Sequence, residues 1–227
     1  MSLRMDLPMD LSTWLLFIAV GTAAVVSPGP AILLAISNSV RFGMMKVFLS
    51  TLGNISGLFI LSTAAIFGLG AIFKTSTSLF LLVKIIGAAY LIYLGVRQWR
   101  SKTNFFAEQA VSESLKKGKS QKNRDKSNVK IFSEGFLIAM TNPKAILFFT
   151  ALFPPFINTS KALPQQFLIM TFTFMAMSFI CLMSYGLLAN KAKRWFAYGN
   201  RATWFNRTLG SVFIVIGAGV LTLKLER

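Results

Sequence analysis

Ser27-Pro28-Gly29-Pro30-Ala31-Ile32-Leu33 lies inside an apolar run that extends from Leu11 to Val40. Two prolines here would each remove a backbone donor and clash with the preceding turn, at a cost of about 3 kcal/mol or more in a continuous helix. The stretch therefore predicts a helix broken near its middle. A second stretch echoes it: Thr141-Asn142-Pro143-Lys144-Ala145-Ile146-Leu147, also within an apolar run. A shift of 114 residues lays Ala31-Ile32-Leu33 on Ala145-Ile146-Leu147, and a shift of 115 lays Ser27-Pro28 on Asn142-Pro143. Both registers predict two broken helices, one in each half of the chain.

The surroundings of these breaks predict a membrane. Of 227 residues 54% are hydrophobic and only 14% charged, against about 25% charged in soluble domains. Six apolar segments stand out: Leu11–Val40, Val47–Phe73, Ser78–Val96, Ile131–Ile157, Gln166–Asn190 and Thr203–Leu223. Each is near or above the ~20 residues that cross a bilayer. The first could be mistaken for a signal peptide, but Asp6 and Asp10 flank it and Pro-Gly-Pro follows where a small-residue cleavage site would stand. It reads as a retained helix. Trp14, Trp99, Trp195 and Trp204 fall near predicted span ends, where indoles favour the headgroup region. Gly53, Gly57, Ala64 and Gly68 form a stripe of small residues on the second span. Such a stripe lets another helix approach closely, within the chain in the first instance and in a homodimer as the alternative.

The net charge of +17 belongs to loops between spans, which argues against nucleic acid as a partner. Residues 101–130 carry Lys116, Lys117, Lys119, Lys122, Arg124, Lys126 and Lys130 among polar residues. They read as a basic linker between a first three-helix unit, 1–100, and a second, 131–227. In alternate loops, seventeen Lys and Arg fall on one side of the membrane and six on the other. The positive-inside bias then sets the linker in the cytoplasm, facing anionic lipids, and both termini outside. Three spans per unit make the two units cross in opposite senses. The expected fold is all-α: six transmembrane helices in two inverted three-helix repeats, helices 1 and 4 broken at the midplane. Such repeats place a secondary transporter's substrate site between them.

The breaks carry the chemistry. Ser27 before Pro28 and Asn142 before Pro143 each read as an N-cap followed by proline at the first helical position. The positive end of each half-helix would then face the interior and attract an anion such as a carboxylate. Gly29, followed by Pro30, leaves room for close approach. Lys144 strengthens this, because a lysine at mid-membrane costs about 2.5–3.5 kcal/mol on insertion scales and usually faces a cavity. The acidic residues are Asp6, Asp10, Glu108, Glu113, Asp125, Glu134 and Glu226. Only Glu134 is placed within a span, ten residues from Lys144, so a substrate carboxylate is the expected mate of Lys144. The alternative is that Lys144 is neutral, or bonded to carbonyls freed by the break. Asn54, beside two glycines, is the best further candidate; Ser56, Tyr90, Tyr93, Thr171, Thr173, Ser178, Ser184 and Tyr185 are read first as interhelical hydrogen-bonding groups. Glu134 is expected to pair with Lys130, with carriage of a coupling proton as the alternative. No histidine and a single cysteine, Cys181, exclude a His-based metal site and an intrachain disulfide. No paired carboxylates or nucleophile–base pair suggest an enzyme, and no cofactor is implied.

Ser27-Pro28-Gly29-Pro30, Gly53-Asn54-Ile55-Ser56-Gly57, the stretch from Gly87 to Gly95, Gly135-Phe136 and Thr141-Asn142-Pro143-Lys144-Ala145 together resemble the lysine-exporter (LysE/RhtB-type) family of bacterial amino-acid translocators. The resemblance covers almost the whole chain. It implies efflux of amino acids or close derivatives across the bacterial inner membrane, driven by a proton or sodium gradient. Pro28, Gly29, Pro30, Asn142, Pro143 and Lys144 match the family motifs. Members export lysine and arginine, threonine and homoserine, leucine, or cysteine derivatives, and distant relatives handle metal ions. Without acidic residues deep in the spans, a neutral amino acid is favoured over a cationic one. The alternatives are an exporter of cations or metal ions, and a non-transporting scaffold acting through the basic linker.

Overall fold

Proline dictates where the helices stop. The residue before a proline is pushed out of the α region into extended backbone, and three such residues do this here. Ser27 has φ −60° and ψ 126°, Gly29 has φ −167° and ψ −178°, and Asn142 has φ −74° and ψ 109°. The computed structural model describes residues 9–75, 77–101, 126–158, 161–189 and 201–222. The basic segment from Lys116 to Arg124, Trp195 and both chain ends lie outside them.

Every regular element among the described residues is a helix, and none is a strand. Helix α1 spans Leu11–Val26 and α2 spans Pro30–Phe42; their axes differ by 56° across the break. Gly43, with φ +84°, turns the chain into α3, Met44–Thr75, and left-handed backbone of that kind favours glycine. Helix α4 follows over Thr77–Arg100. After the linker come α5, Asn128–Thr141, and α6, Pro143–Leu147, which continues through a π turn and a 3₁₀ turn to Phe156. This second pair is bent by 50°. Helix α7 spans Leu163–Leu187 and α8 spans Arg201–Thr222. Among the described residues, α3 and α7 are each long and apolar enough to cross a bilayer; the bent pairs α1–α2 and α5–α6 bring the number of candidate spans to four if each pair counts as one. Phe67, Phe172, Ile180 and Val215 are exposed on helix surfaces, as lipid-facing residues are. Trp99 and Trp204 are exposed near helix ends, whereas the Trp14 indole donates to Thr173 Oγ1 at 3.1 Å.

Small residues decide which helices touch. Gly135 of α5 meets the backbone of Ser50, Gly53 of α3 meets the backbone of Phe132 and Phe136, and Gly57 meets Ala139. The order of these contacts makes α3 and α5 parallel. The stripe on α3 is thus used within the chain at Gly53 and Gly57, while Gly68 has nothing close by. Helices α4 and α8 run antiparallel, with Gly95 against the backbone of Gly210 and Gly217 against Ala88 and Ile92. Gln98 Nε2 donates to Asn206 Oδ1 at 2.8 Å beside that crossing. Helices α1 and α7 run parallel: Trp14 reaches Thr173, Gly21 packs on Met177 and Tyr185 reaches Val26.

Two cores flank the breaks. On one side Phe17, Phe148, Phe149, Phe153, Phe156, Phe167 and Phe174 pack together, with the Phe148 and Phe174 rings stacked 4.3 Å apart. On the other, Ile32, Ala35, Ile36, Val47, Cys181 and Leu182 pack α2 against α3 and α7. Glu134 differs from its expected pairing: Lys126 Nζ reaches both its oxygens at 2.8 and 3.0 Å. Lys126 also lies over the Phe42 ring, and Lys46 Nζ donates to the Lys126 carbonyl at 2.8 Å. The end of the linker folds back over α5, which lets a residue eight positions away outcompete Lys130.

Candidate functional site

The caps of the two breaks differ from each other. Asn142 caps α6 as expected: its Oδ1 accepts from the Lys144 amide at 3.1 Å, with Pro143 at the first helical position. In the first break the expected cap moves. Ser27 terminates α1, its own amide bonded to the Ala23 carbonyl at 3.2 Å, while Gly29 stands at the N-cap of α2 and Pro30 takes the first helical position. Pro28 cannot start the helix because the next proline forces Gly29 into extended backbone. Pro30 and Pro143 thus hold equivalent places, a shift of 113 rather than 114 or 115.

Lys144 joins the breaks. Its Nζ donates to the Ser27 carbonyl at 2.8 Å. This is the expected alternative, a carbonyl freed by the break. Proline at position 30 and the extended backbone around it leave α1 without a following turn to supply donors. Two further carbonyls at the same helix end are met by α7: Cys181 Sγ donates to Val25 at 3.3 Å, and the Tyr185 hydroxyl donates to Val26 at 3.1 Å. An ammonium at the negative end of a helix is favoured electrostatically. It carries three protons; among the described residues no acidic side chain pairs with it.

A cavity opens beside this junction, with about 50 Å³ for water-sized guests, room for roughly three to five waters. Gly29, Asn54, Asn142 and Lys144 line it, together with Ser178. Ala31 and Ile32 also line it; their amides precede the first intrahelical bond of α2, from Leu33 to the Gly29 carbonyl at 3.0 Å. Apolar walls come from Leu58, Phe148, Phe174 and Leu182. A Cβ built on Gly29 would stand 3.4 Å from Lys144 Nζ, in ordinary van der Waals contact, so the Gly29 backbone lies directly beside the ammonium. Four of the eight candidate site residues thus share one cavity, and Ser27 joins them through its carbonyl. Pro28, Pro30 and Pro143 shape the backbone. Asn54 is buried.

Other residues were harder to foresee. Cys181 and Tyr185 act through backbone carbonyls, which no residue type advertises. Ser178, Phe148 and Phe174 sit at ordinary apolar or interhelical positions. Ser56 bonds to the Leu52 carbonyl within its own helix at 2.8 Å and lies outside the cavity lining. Among the described residues no three His, Cys, Asp or Glu side chains come together.

The arrangement offers an ammonium, the N-terminal end of α2 and small polar side chains inside an apolar wall, which suits a small charged or zwitterionic guest. The LysE type translocator family model matches residues 22–224. The chain is 30% identical over 216 residues, 95% of its length and all of the relative, to an uncharacterized membrane protein of Vibrio cholerae. It is 29% identical over 210 residues, covering 92% of this chain and 96% of the relative, to the homoserine/homoserine lactone efflux protein of Salmonella typhi. A membrane protein of Bacillus subtilis, YrhP, is also 29% identical, over 208 residues, 92% of this chain and 97% of the relative. No solved structure matches the chain. With the family model covering nearly its whole length, the chain belongs to the LysE type translocator family and is a membrane transporter, not an enzyme.

Proposed function

We propose that the chain exports a neutral amino acid or close derivative, of the homoserine type, from the bacterial cytoplasm by alternating access. The observation that carries this is the Lys144 ammonium, 2.8 Å from the Ser27 carbonyl and lining a cavity with Gly29, Asn54 and Asn142. A substrate carboxylate binds there, to Lys144 and to the free amides of α2 at Ala31 and Ile32. The homoserine efflux relatives support an amino-acid cargo. Homoserine and its lactone share an α-amino group, and only the open form carries a carboxylate. The apolar walls at Leu58 and Leu182 favour a short neutral side chain over a metal ion, which needs a group of hard or soft ligands.

The transporter works as two inverted three-helix repeats, 1–100 and 131–227, joined by the linker 101–130. Three relations support this. Helix α1 packs parallel to α7, and α5 packs parallel to α3, as a two-fold axis in the membrane plane requires. Gly21 of α1 and Gly135 of α5 each lie on the face that meets this partner helix, Gly21 against Met177 and Gly135 against Ser50. Helices α4 and α8, the third of each repeat, cross antiparallel. The cavity lies at the junction of the two breaks, where rocking of the repeats opens one side at a time. Seventeen basic residues against six orient the linker to the cytoplasm and its anionic lipids, with both termini outside. A proton or sodium gradient drives export.

Proteoliposomes preloaded with labelled homoserine, threonine, leucine or lysine, with and without an imposed gradient, test the reading. Gradient-dependent release of a neutral amino acid is expected. Release of none of them by folded protein overturns it.

A further inference from the structure

Three consecutive carbonyls end α1, and each is met by a side chain far away in the chain: Val25 by Cys181, Val26 by Tyr185 and Ser27 by Lys144. Two of these donors are neutral and held within α7. The third is a cation on a flexible four-carbon stem. The negative end of a helix thus carries an ammonium, and that ammonium borders a cavity. An amino acid brings the same chemical group, attached next to its carboxylate.

We infer that the Ser27 carbonyl, at the C-terminal end of α1, is the site for the substrate's α-ammonium, and that Lys144 occupies this site as a tethered stand-in until substrate displaces it. The inference rests on the amino-acid reading above and adds the second pole of the substrate. On binding, the substrate ammonium takes the Ser27 carbonyl. Lys144 moves onto the substrate carboxylate, beside the amides of Ala31 and Ile32. The exchange conserves charge pairing, because a zwitterion brings one cation and one anion together. An amine alone must share the carbonyl with Lys144 and meets a like charge. An acid alone draws Lys144 away and leaves the Ser27 carbonyl without a donor, a penalised state in a low-dielectric interior. Cys181 and Tyr185 position the site by holding the two neighbouring carbonyls. The substrate's α-carbon fits beside Gly29, which borders both Lys144 Nζ and the Ser27 carbonyl.

Direct binding to the purified full-length transporter tests this. The probes are homoserine, N-acetylhomoserine, and aminopropanol, which is homoserine without its carboxylate. Removing the resident ammonium by Lys144→Met should tighten aminopropanol binding about tenfold or more relative to wild type, the scale of a charge-assisted hydrogen bond regained. Unchanged or weaker aminopropanol binding by the folded variant overturns the inference. Should that variant not fold, the wild-type protein decides: homoserine is expected to bind at least about tenfold more tightly than N-acetylhomoserine, and equal binding overturns the inference. The two readings fail separately. Equal binding of homoserine and its N-acetyl derivative, with homoserine still exported, removes the ammonium site and leaves the exporter. Tighter aminopropanol binding in the variant, with no amino acid exported, keeps the ammonium site and removes the exporter.

Discussion

Lys144 Nζ and the Ser27 carbonyl oxygen are 2.8 Å apart although 117 residues separate them. This one bond ties the break between α1 and α2 to the break between α5 and α6. It also explains how a lysine is tolerated among apolar helices: a freed carbonyl and a polar cavity replace the water it would otherwise need.

Helix contact at Gly53 and Gly135 leaves no room for a methyl group, since a Cβ at either would overlap backbone atoms of the facing helix. Gly53→Ala and Gly135→Ala should each destabilise the folded protein by about 1–3 kcal/mol or more, the usual cost of overpacking. Gly68→Ala, in a helix interior with nothing within 4 Å, should be at least as stable as wild type. Thermal unfolding in detergent distinguishes the three. A Gly135→Ala protein as stable as Gly68→Ala would mean that α3 and α5 are not so close.

The Asn142 side chain holds the Lys144 amide at 3.1 Å. Asn142→Ala removes an N-cap, at a cost of about 1 kcal/mol. Asn142→Asp or Asn142→Ser can keep the bond; Ser is the cleaner choice because it adds no charge beside Lys144. Thermal stability should fall with Ala and largely recover with Ser. Equal loss in both would show that the amide group acts in some other way.

Glu134 is paired with Lys126, and both side chains are about one-third exposed. A pair that is so accessible contributes less than about 1 kcal/mol. Glu134→Gln should therefore leave the melting temperature nearly unchanged and preserve gradient-dependent efflux in proteoliposomes. Efflux that continues but no longer responds to a proton gradient would identify Glu134 as a proton carrier instead.

The stacked rings of Phe148 and Phe174, 4.3 Å apart, form the wall between the cavity and the aromatic core. Phe174→Ala removes part of that wall and should cost about 3–5 kcal/mol as a buried large-to-small change. Phe174→Leu, closer in volume, should cost less and keep efflux. The order of melting temperatures, wild type above Leu above Ala, is the check. An Ala variant as stable as wild type would exclude Phe174 from the core.

Much of this was legible in the sequence because proline acts through its own covalent geometry. Pro28, Pro30 and Pro143 mark the breaks wherever they stand, and Lys144 is conspicuous by charge alone. The cap at the first break was misread at Ser27 because two prolines in close succession compete to start the helix; the extended backbone forced on Gly29 decides between them. The partners of Lys144, Cys181 and Tyr185 are carbonyls, and every residue has one, so residue types carry no signal of which is used. Glu134 pairs with Lys126 rather than Lys130 because the chain folds back before α5, a path that helical spacing does not describe. The interhelical glycines were visible as a stripe, but only the structure divides Gly53 and Gly57, which are packed, from Gly68, which is open.

The measurement that bears most directly on the role of Lys144 is amino-acid efflux by Lys144→Ala in proteoliposomes, beside wild type at matched protein content and with melting curves showing that both are folded. The expected result is a loss of efflux of at least about 100-fold, because a charge-assisted contact with the carboxylate and the link between the two breaks vanish together. Undiminished efflux by the folded variant would contradict it, and would move the substrate carboxylate away from the junction of the two breaks.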